Sequence, residues 1–180
     1  MKPLKIVLAE RVLGLLEDTS LPDIAYCALL EGWSSPSLGA LAGMNDNEFN
    51  AFIALDLYQR ALKELELAEP SLEKAVYMAL SYYVKSVAAG NLSAIEGVTS
   101  IQKMYDRVRD RYPSIEMVGD ALGIDVFIGL YYEITDIGAC QRQYAKPSVP
   151  REELLAYYEN KIKHVARRFD LEQLKRRILK

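Results

Sequence analysis

The chain holds one histidine, one tryptophan and two cysteines in 180 residues. That shortage closes off several chemistries. A structural zinc site takes about four Cys or His ligands. Cys27, Cys140 and His164 lie far apart, and neither cysteine sits in a Cys-x-x-Cys or Cys/His cluster. A serine or cysteine nucleophile needs a base beside it. His164 stands between Lys163 and Val165, close to Arg167 and Arg168, and nothing marks a nucleophile for it; it reads as a surface histidine. Di-iron bundles use Glu-x-x-His pairs, and none occurs. Glycine-rich phosphate loops are missing as well: no G-x-x-x-x-G-K-[ST] is present, and Gly119 and Gly123 form no phosphate cradle. The expectation is a chain with no catalytic residue, no metal ligand set and no cofactor. Long apolar runs are also lacking. The longest, Val126 to Tyr132, is far short of the ~20 residues that span a bilayer. Glu10-Arg11 breaks the N-terminal apolar stretch before it reaches signal-peptide length. Two distant thiols suit a reducing compartment, so a cytoplasmic protein without a membrane segment is expected.

What is there is helical period. Hydrophobic residues make up 51% and charged residues 26%, ordinary values for a globular chain, and the length suits one domain. A first helix is expected over about Leu4–Glu17 and a second from Leu21-Pro22-Asp23 to near Gly32. Ser35-Pro36-Ser37 opens a short helix that should close at a left-handed Gly43. Asn45 with Glu48 reads as a capping box for a helix running to about Leu67, with Asp56, Arg60 and Glu64 as a charge ladder on its wet face. Pro70-Ser71 restarts the chain; Leu72, Val76, Leu80, Tyr83 and Val87 then form a stripe closed by Gly90. Ser93 with Glu96 is a second capping box, before the stripe Ala94, Val98, Ile101, Tyr105 and Val108. Ser114 should cap a helix that Gly119 or Gly123 interrupts and that continues to about Ile137. A connector is expected near 138–150, then a helix from about Arg151, with Asp170 and Gln173 recapping the chain for a final turn or two. These elements predict an all-α fold: an irregular, single-domain bundle of about seven or eight helices spanning residues 1–180.

Two groups of residues carry chemical interest. Glu116, Asp120, Asp125, Glu133 and Asp136 are carboxylates on an otherwise apolar stretch. Carboxylates alone can hold Mg²⁺ or Ca²⁺, and the plain alternative is the wet face of a buried helix. The tyrosines Tyr82-Tyr83, Tyr131-Tyr132 and Tyr157-Tyr158 come in pairs on predicted helices. Neighbours on a helix point about 100° apart, which places one of each pair inward and the other at the core edge.

The stretch from Leu29 to Met44 contains Gly32-Trp33-Ser34-Ser35-Pro36-Ser37-Leu38-Gly39-Ala40-Leu41-Ala42-Gly43. It resembles the pattern G-x-D-S-P-S-L-R-x-L-A-G of a group of small bacterial all-helical proteins. Leu57 to Leu67 and Val84 to Ile101 are similar to later parts of the same pattern. Ser34 stands where that pattern has Asp, and Gly39 where it has Arg. The resemblance implies a helical fold and, by association, an immunity- or antitoxin-like protein that works by covering another protein.

Charge is segregated along the chain. Residues 141–180 hold eleven Lys/Arg and five Asp/Glu, a surplus of six positive charges, while residues 1–140 carry an excess of nine negative ones. The acidic balance argues against a general nucleic-acid binder. Lys161, Lys163, Arg167, Arg168, Lys175, Arg176 and Arg177 flank an apolar stripe of Leu154, Tyr158, Ile162, Val165 and Phe169. The sequence reading is therefore a non-enzymatic protein-binding protein. Its partner-contacting residues would be Lys161, Lys163, Arg167, Arg168, Arg176 and Arg177, and its partner another protein. The alternatives are a metal-dependent hydrolase using the carboxylates near 116–136, or an adaptor for anionic partners through the C-terminal helix.

Overall fold

The computed structural model describes residues 2–45, 49–111, 122–143 and 150–179. Among them are nine α-helices and no strand: α1 (Leu4–Val12), α2 (Leu21–Leu30), α3 (Pro36–Ala42), α4 (Ala51–Glu64), α5 (Leu72–Ala89), α6 (Ala94–Arg111), α7 (Asp125–Gln143), α8 (Arg151–Arg168) and α9 (Leu171–Ile178). The all-α class is as the periodicity predicts. The count exceeds the expected seven or eight because the Asp170-capped turns make a full helix, α9. The chain divides into two compact units, residues 1–76 and 77–180. Among the described residues no helix is long and apolar enough to cross a membrane.

The first unit packs α1 to α4 around Leu4, Leu8, Leu21, Ala25, Leu38 and Leu41. Helix α1 stops earlier than its apolar period suggests. Gly14 takes a φ of +69°, a left-handed turn that glycine adopts without a Cβ penalty, and the chain then makes a 3-10 turn at Asp18–Ser20. At the end of α2, Gly32 is left-handed (φ +92°) and Trp33 N–H donates to Ala28 C=O at 3.1 Å, satisfying a terminal carbonyl. Ser35 caps α3, its Oγ accepting from Leu38 N–H at 3.2 Å. Gly43 does not close α3 in the left-handed form expected of it; its φ is −82°, and any residue can adopt that conformation. Helix α4 begins at Ala51 rather than near Asn45, because Asn50 supplies the cap: its Oδ1 accepts from Phe52 N–H at 3.0 Å and Ile53 N–H at 3.3 Å. Glu48, the other half of the expected capping box, lies outside the described residues.

Glu64 also departs from expectation. Asp56 and Arg60 pair on α4, but the Glu64 carboxylate crosses to α3 and accepts from Ser37 Oγ at 2.7 Å and Ser37 N–H at 3.0 Å. These bonds hold its carboxyl below the usual glutamate range, because hydrogen bonds to the charged form favour it. A carboxyl whose folded pKa is depressed contributes stability above its unfolded pKa, and that contribution is lost as pH falls through the folded value. The first unit should therefore lose stability as pH drops below about 4.5. Ser37→Ala should flatten that part of the pH profile and move the Glu64 carboxyl titration upward, as read by NMR. An unchanged titration would show that Ser37 does not hold Glu64.

Tyr58 ties the same unit together. Its ring is buried, its hydroxyl donates to Glu69 Oε1 at 2.7 Å, and the Arg11 guanidinium lies 4.7 Å from the ring centroid. Burial, and then the Glu69 carboxylate, push the phenol well above its ordinary pKa. Arg11 also bonds Asp18 at 2.9 Å, so one guanidinium links α1, the 3-10 turn and α4.

In the second unit, α6, α7 and α8 pack against one another. The capping box at the start of α6 is reciprocal as predicted: Glu96 N–H donates to Ser93 Oγ at 3.1 Å, and Ser93 N–H to Glu96 Oε2 at 3.3 Å. Val98, Ile101, Met104 and Val108 of α6 are buried with Phe127 and Leu130 of α7 and Ile162 of α8. Gly123 is left-handed (φ +68°) and breaks the chain before α7, as one of the two proposed interruptions. Ser114 and Gly119 lie outside the described residues. Helix α7 then runs to Gln143, so the connector expected from 138 starts later. A lone Gly138 costs a helix only about 1 kcal/mol relative to Ala, too little to end one with helix formers on either side. Helix α8 starts at Arg151 as expected, and Asp170 caps α9 through Gln173 N–H at 2.8 Å.

Candidate functional site

The predicted cations all fall on α8 and α9, but the structure separates them into two kinds. Lys161 and Lys163 are turned to their own fold. Lys161 Nζ lies 3.5 Å from Glu133 of α7 and within 6 Å of the Tyr157 and Tyr158 rings, at 5.9 and 5.8 Å. Lys163 sits 3.8 Å from Glu159, one turn back. Arg167, Arg168, Lys175, Arg176 and Arg177 are exposed. Arg167 and Arg168 form the last turn of α8, and Lys175, Arg176 and Arg177 the last turn of α9. Cations there complement the negative end of each helix dipole, which explains their retention on a fold but leaves their outer faces open.

Two of these arginines meet at a cleft of about 440 Å³ within the second unit. Its floor is apolar, made by Leu122 and Val126 beside the start of α7, Val165 and Phe169 from α8 and its end, and Leu174 from α9. Leu122 and Leu174 are buried, whereas Val126 is 55% exposed. Its polar edge is His164, Arg168 and Arg177, with Gln173 and Asp170 at the junction of α8 and α9. The Asp170 carboxylate is engaged as the α9 cap. The Arg177 guanidinium comes close enough to Gly123 that a Cβ there would meet its Nη1 at 3.6 Å. Sequence reading placed Arg168 and Arg177 in one list of surface charges. It missed that Phe169 breaks the helix between them and folds α9 back, which is what creates a hollow; the Asp170-Gln173 cap was the available signal.

The acidic candidates do not assemble. Asp125, Glu133 and Asp136 are on α7. Asp125 and Glu133 stand about 12 Å apart along the axis at 1.5 Å per residue, too far to share one ion, and Glu133 is paired with Lys161. Glu116 and Asp120 lie outside the described residues. Among the described residues, no group of three His, Cys, Asp or Glu side chains is placed to hold a metal ion. His164 lines the cleft without a serine or cysteine among the residues around it. The tyrosine pairs are edge-to-face, with ring centroids 5.9, 5.4 and 5.3 Å apart. Tyr83 is buried, while Tyr132 and Tyr157 are the exposed members of theirs.

A polar group that sequence reading did not single out is buried between α6 and α7. Gln102 is 3% exposed; its Nε2 donates to Asp106 Oδ1 at 3.1 Å and approaches the Tyr132 hydroxyl at 3.5 Å. Its Oε1 has no hydrogen-bond partner among the described residues.

No protein-family model matches the chain, and no curated protein or solved structure is detectably similar to it. The likeness of residues 29–44 to a bacterial helical pattern therefore rests on those residues alone. Physically they make helix punctuation: the Gly32 turn and the Ser35 cap.

Proposed function

We infer that the chain is a protein-binding protein that takes an acidic partner through the arginines at the ends of α8 and α9. The observation that carries this reading is the exposure of Arg167, Arg168, Arg176 and Arg177 on a chain whose remaining cations are partly committed within the fold. Charge of one sign on a face speeds encounter with an oppositely charged one. Covering such a partner is the mode of an immunity- or antitoxin-like protein, which the pattern at residues 29–44 suggests. Cys27 as a free thiol fits a cytoplasmic setting for it.

The test is charge reversal. A partner captured on the full chain from the source-cell lysate is titrated against wild type and against a variant carrying Glu at 167, 168, 176 and 177. Association should slow by about tenfold or more, and the wild-type rate should fall steeply with salt. Circular dichroism should show the variant still folded. A folded variant that associates at the wild-type rate would reduce these arginines to a solvated helix end.

A further inference from the structure

The cleft and the arginine face share two residues, Arg168 and Arg177, and that sharing narrows what the partner must look like. A face used for charge alone needs no hollow beneath it. A hollow with an apolar floor, at about 440 Å³, lies in the ~300–1,000 Å³ range of binding sites that bury an organic group. Val126 is the most open part of that floor, and an exposed valine beside two guanidiniums is covered well only by a group that is apolar at its tip and anionic beside it. Guanidinium groups present paired donors that match a carboxylate.

We propose that this cleft anchors the partner by one large apolar side chain, while carboxylates on neighbouring partner residues sit on Arg168 and Arg177. The anchoring segment is thus an acidic peptide stretch with a Phe or Leu at its centre. This rests on the reading of an acidic protein partner and specifies how that partner is held. Buried anchor residues of this kind carry most of the energy at protein interfaces, while charges at the rim set rate and specificity. Nucleic acid is disfavoured by the excess of acidic residues in the chain as a whole.

The experiment uses the full chain and two acetylated peptides, Asp-Asp-Phe-Glu-Glu and Asp-Asp-Ser-Glu-Glu, titrated by NMR shift mapping at low salt, with a short oligothymidylate as a third arm. The Phe peptide should bind about tenfold more tightly than the Ser peptide, as burying an aromatic side chain predicts, and shifts should centre on Val126, Val165 and Leu174. Val126→Trp fills the cleft from its exposed side and should remove the preference for Phe while leaving the weaker, salt-sensitive binding of both peptides. Equal binding of the two peptides overturns the anchor and leaves the charged face standing as the partner surface. A Phe preference that survives Val126→Trp in a folded variant places the anchor elsewhere and overturns it too. Binding of neither peptide, or a stronger response to the oligonucleotide than to either, also overturns the proposal.

Discussion

Phe127→Ala should lower the stability of the protein by about 3–5 kcal/mol, the usual cost of deleting a fully buried aromatic side chain. Phe127 is 1% exposed, and its ring meets that of Phe169 at 5.6 Å between centroids. The loss has two parts. One is the transfer free energy of the ring, and the other is the void left where the surrounding helices cannot close in. The void matters here because Phe169 sits where α8 ends and its ring has no other aromatic contact among the described residues. Phe127→Leu, which keeps most of the volume, should cost roughly 1–2 kcal/mol. Both are measured by urea unfolding of the full chain. A loss under about 1 kcal/mol for the alanine variant would mean that the site collapses freely, and then the floor of the neighbouring cleft is not the rigid surface described.

The parts of this fold that the sequence made legible are those set by residues close together in the chain. Ser35, Ser93 and Asp170 cap helices by bonding backbone groups three positions on, so their roles follow from spacing. Gly32, Gly90 and Gly123 take left-handed turns between segments whose apolar periods already end there. The misreadings share one cause, a local signal outcompeted by another. Asn45 looked like a cap, but Asn50 is closer to the helix and satisfies its first amides. Leu15 continued the apolar period of α1, but Gly14 turns the chain first. Glu64 belonged by spacing to a ladder on its own helix and instead bonds Ser37, 27 positions earlier; no period in the sequence encodes that distance. The site follows the same rule. The arginines were visible as a cluster of charge, while the hollow between two of them depends on a turn at Phe169 and on Leu122 and Val126 arriving from another part of the chain.

Gly97→Ala should destabilise the protein, against what helix propensity alone predicts. Gly97 lies in the first turns of α6, where alanine is favoured over glycine by about 1 kcal/mol. Packing opposes that gain. A Cβ built on Gly97 runs into Cγ2 of Val87 on α5, and it also meets Leu92 Cδ2 at 3.6 Å. Val87 is 1% exposed, and a β-branched side chain in a helix has one strongly preferred rotamer, so its methyl cannot swing aside. The helices must part or the valine must leave its rotamer, at a cost of about 1–3 kcal/mol. Since the clash is with the root of a short side chain rather than the tip of a long one, the upper part of that range applies, and the net loss should be about 1–2 kcal/mol. A double-mutant cycle isolates the contact. Val87→Ala alone opens a void and costs stability. Combined with Gly97→Ala, it gives the new methyl somewhere to go, so the double variant should be more stable than the sum of the two losses predicts by about 1 kcal/mol or more. Strictly additive losses in chemical denaturation would show that α5 and α6 do not approach at Gly97, and a Gly97→Ala variant more stable than wild type would show that propensity, not close packing, governs this position.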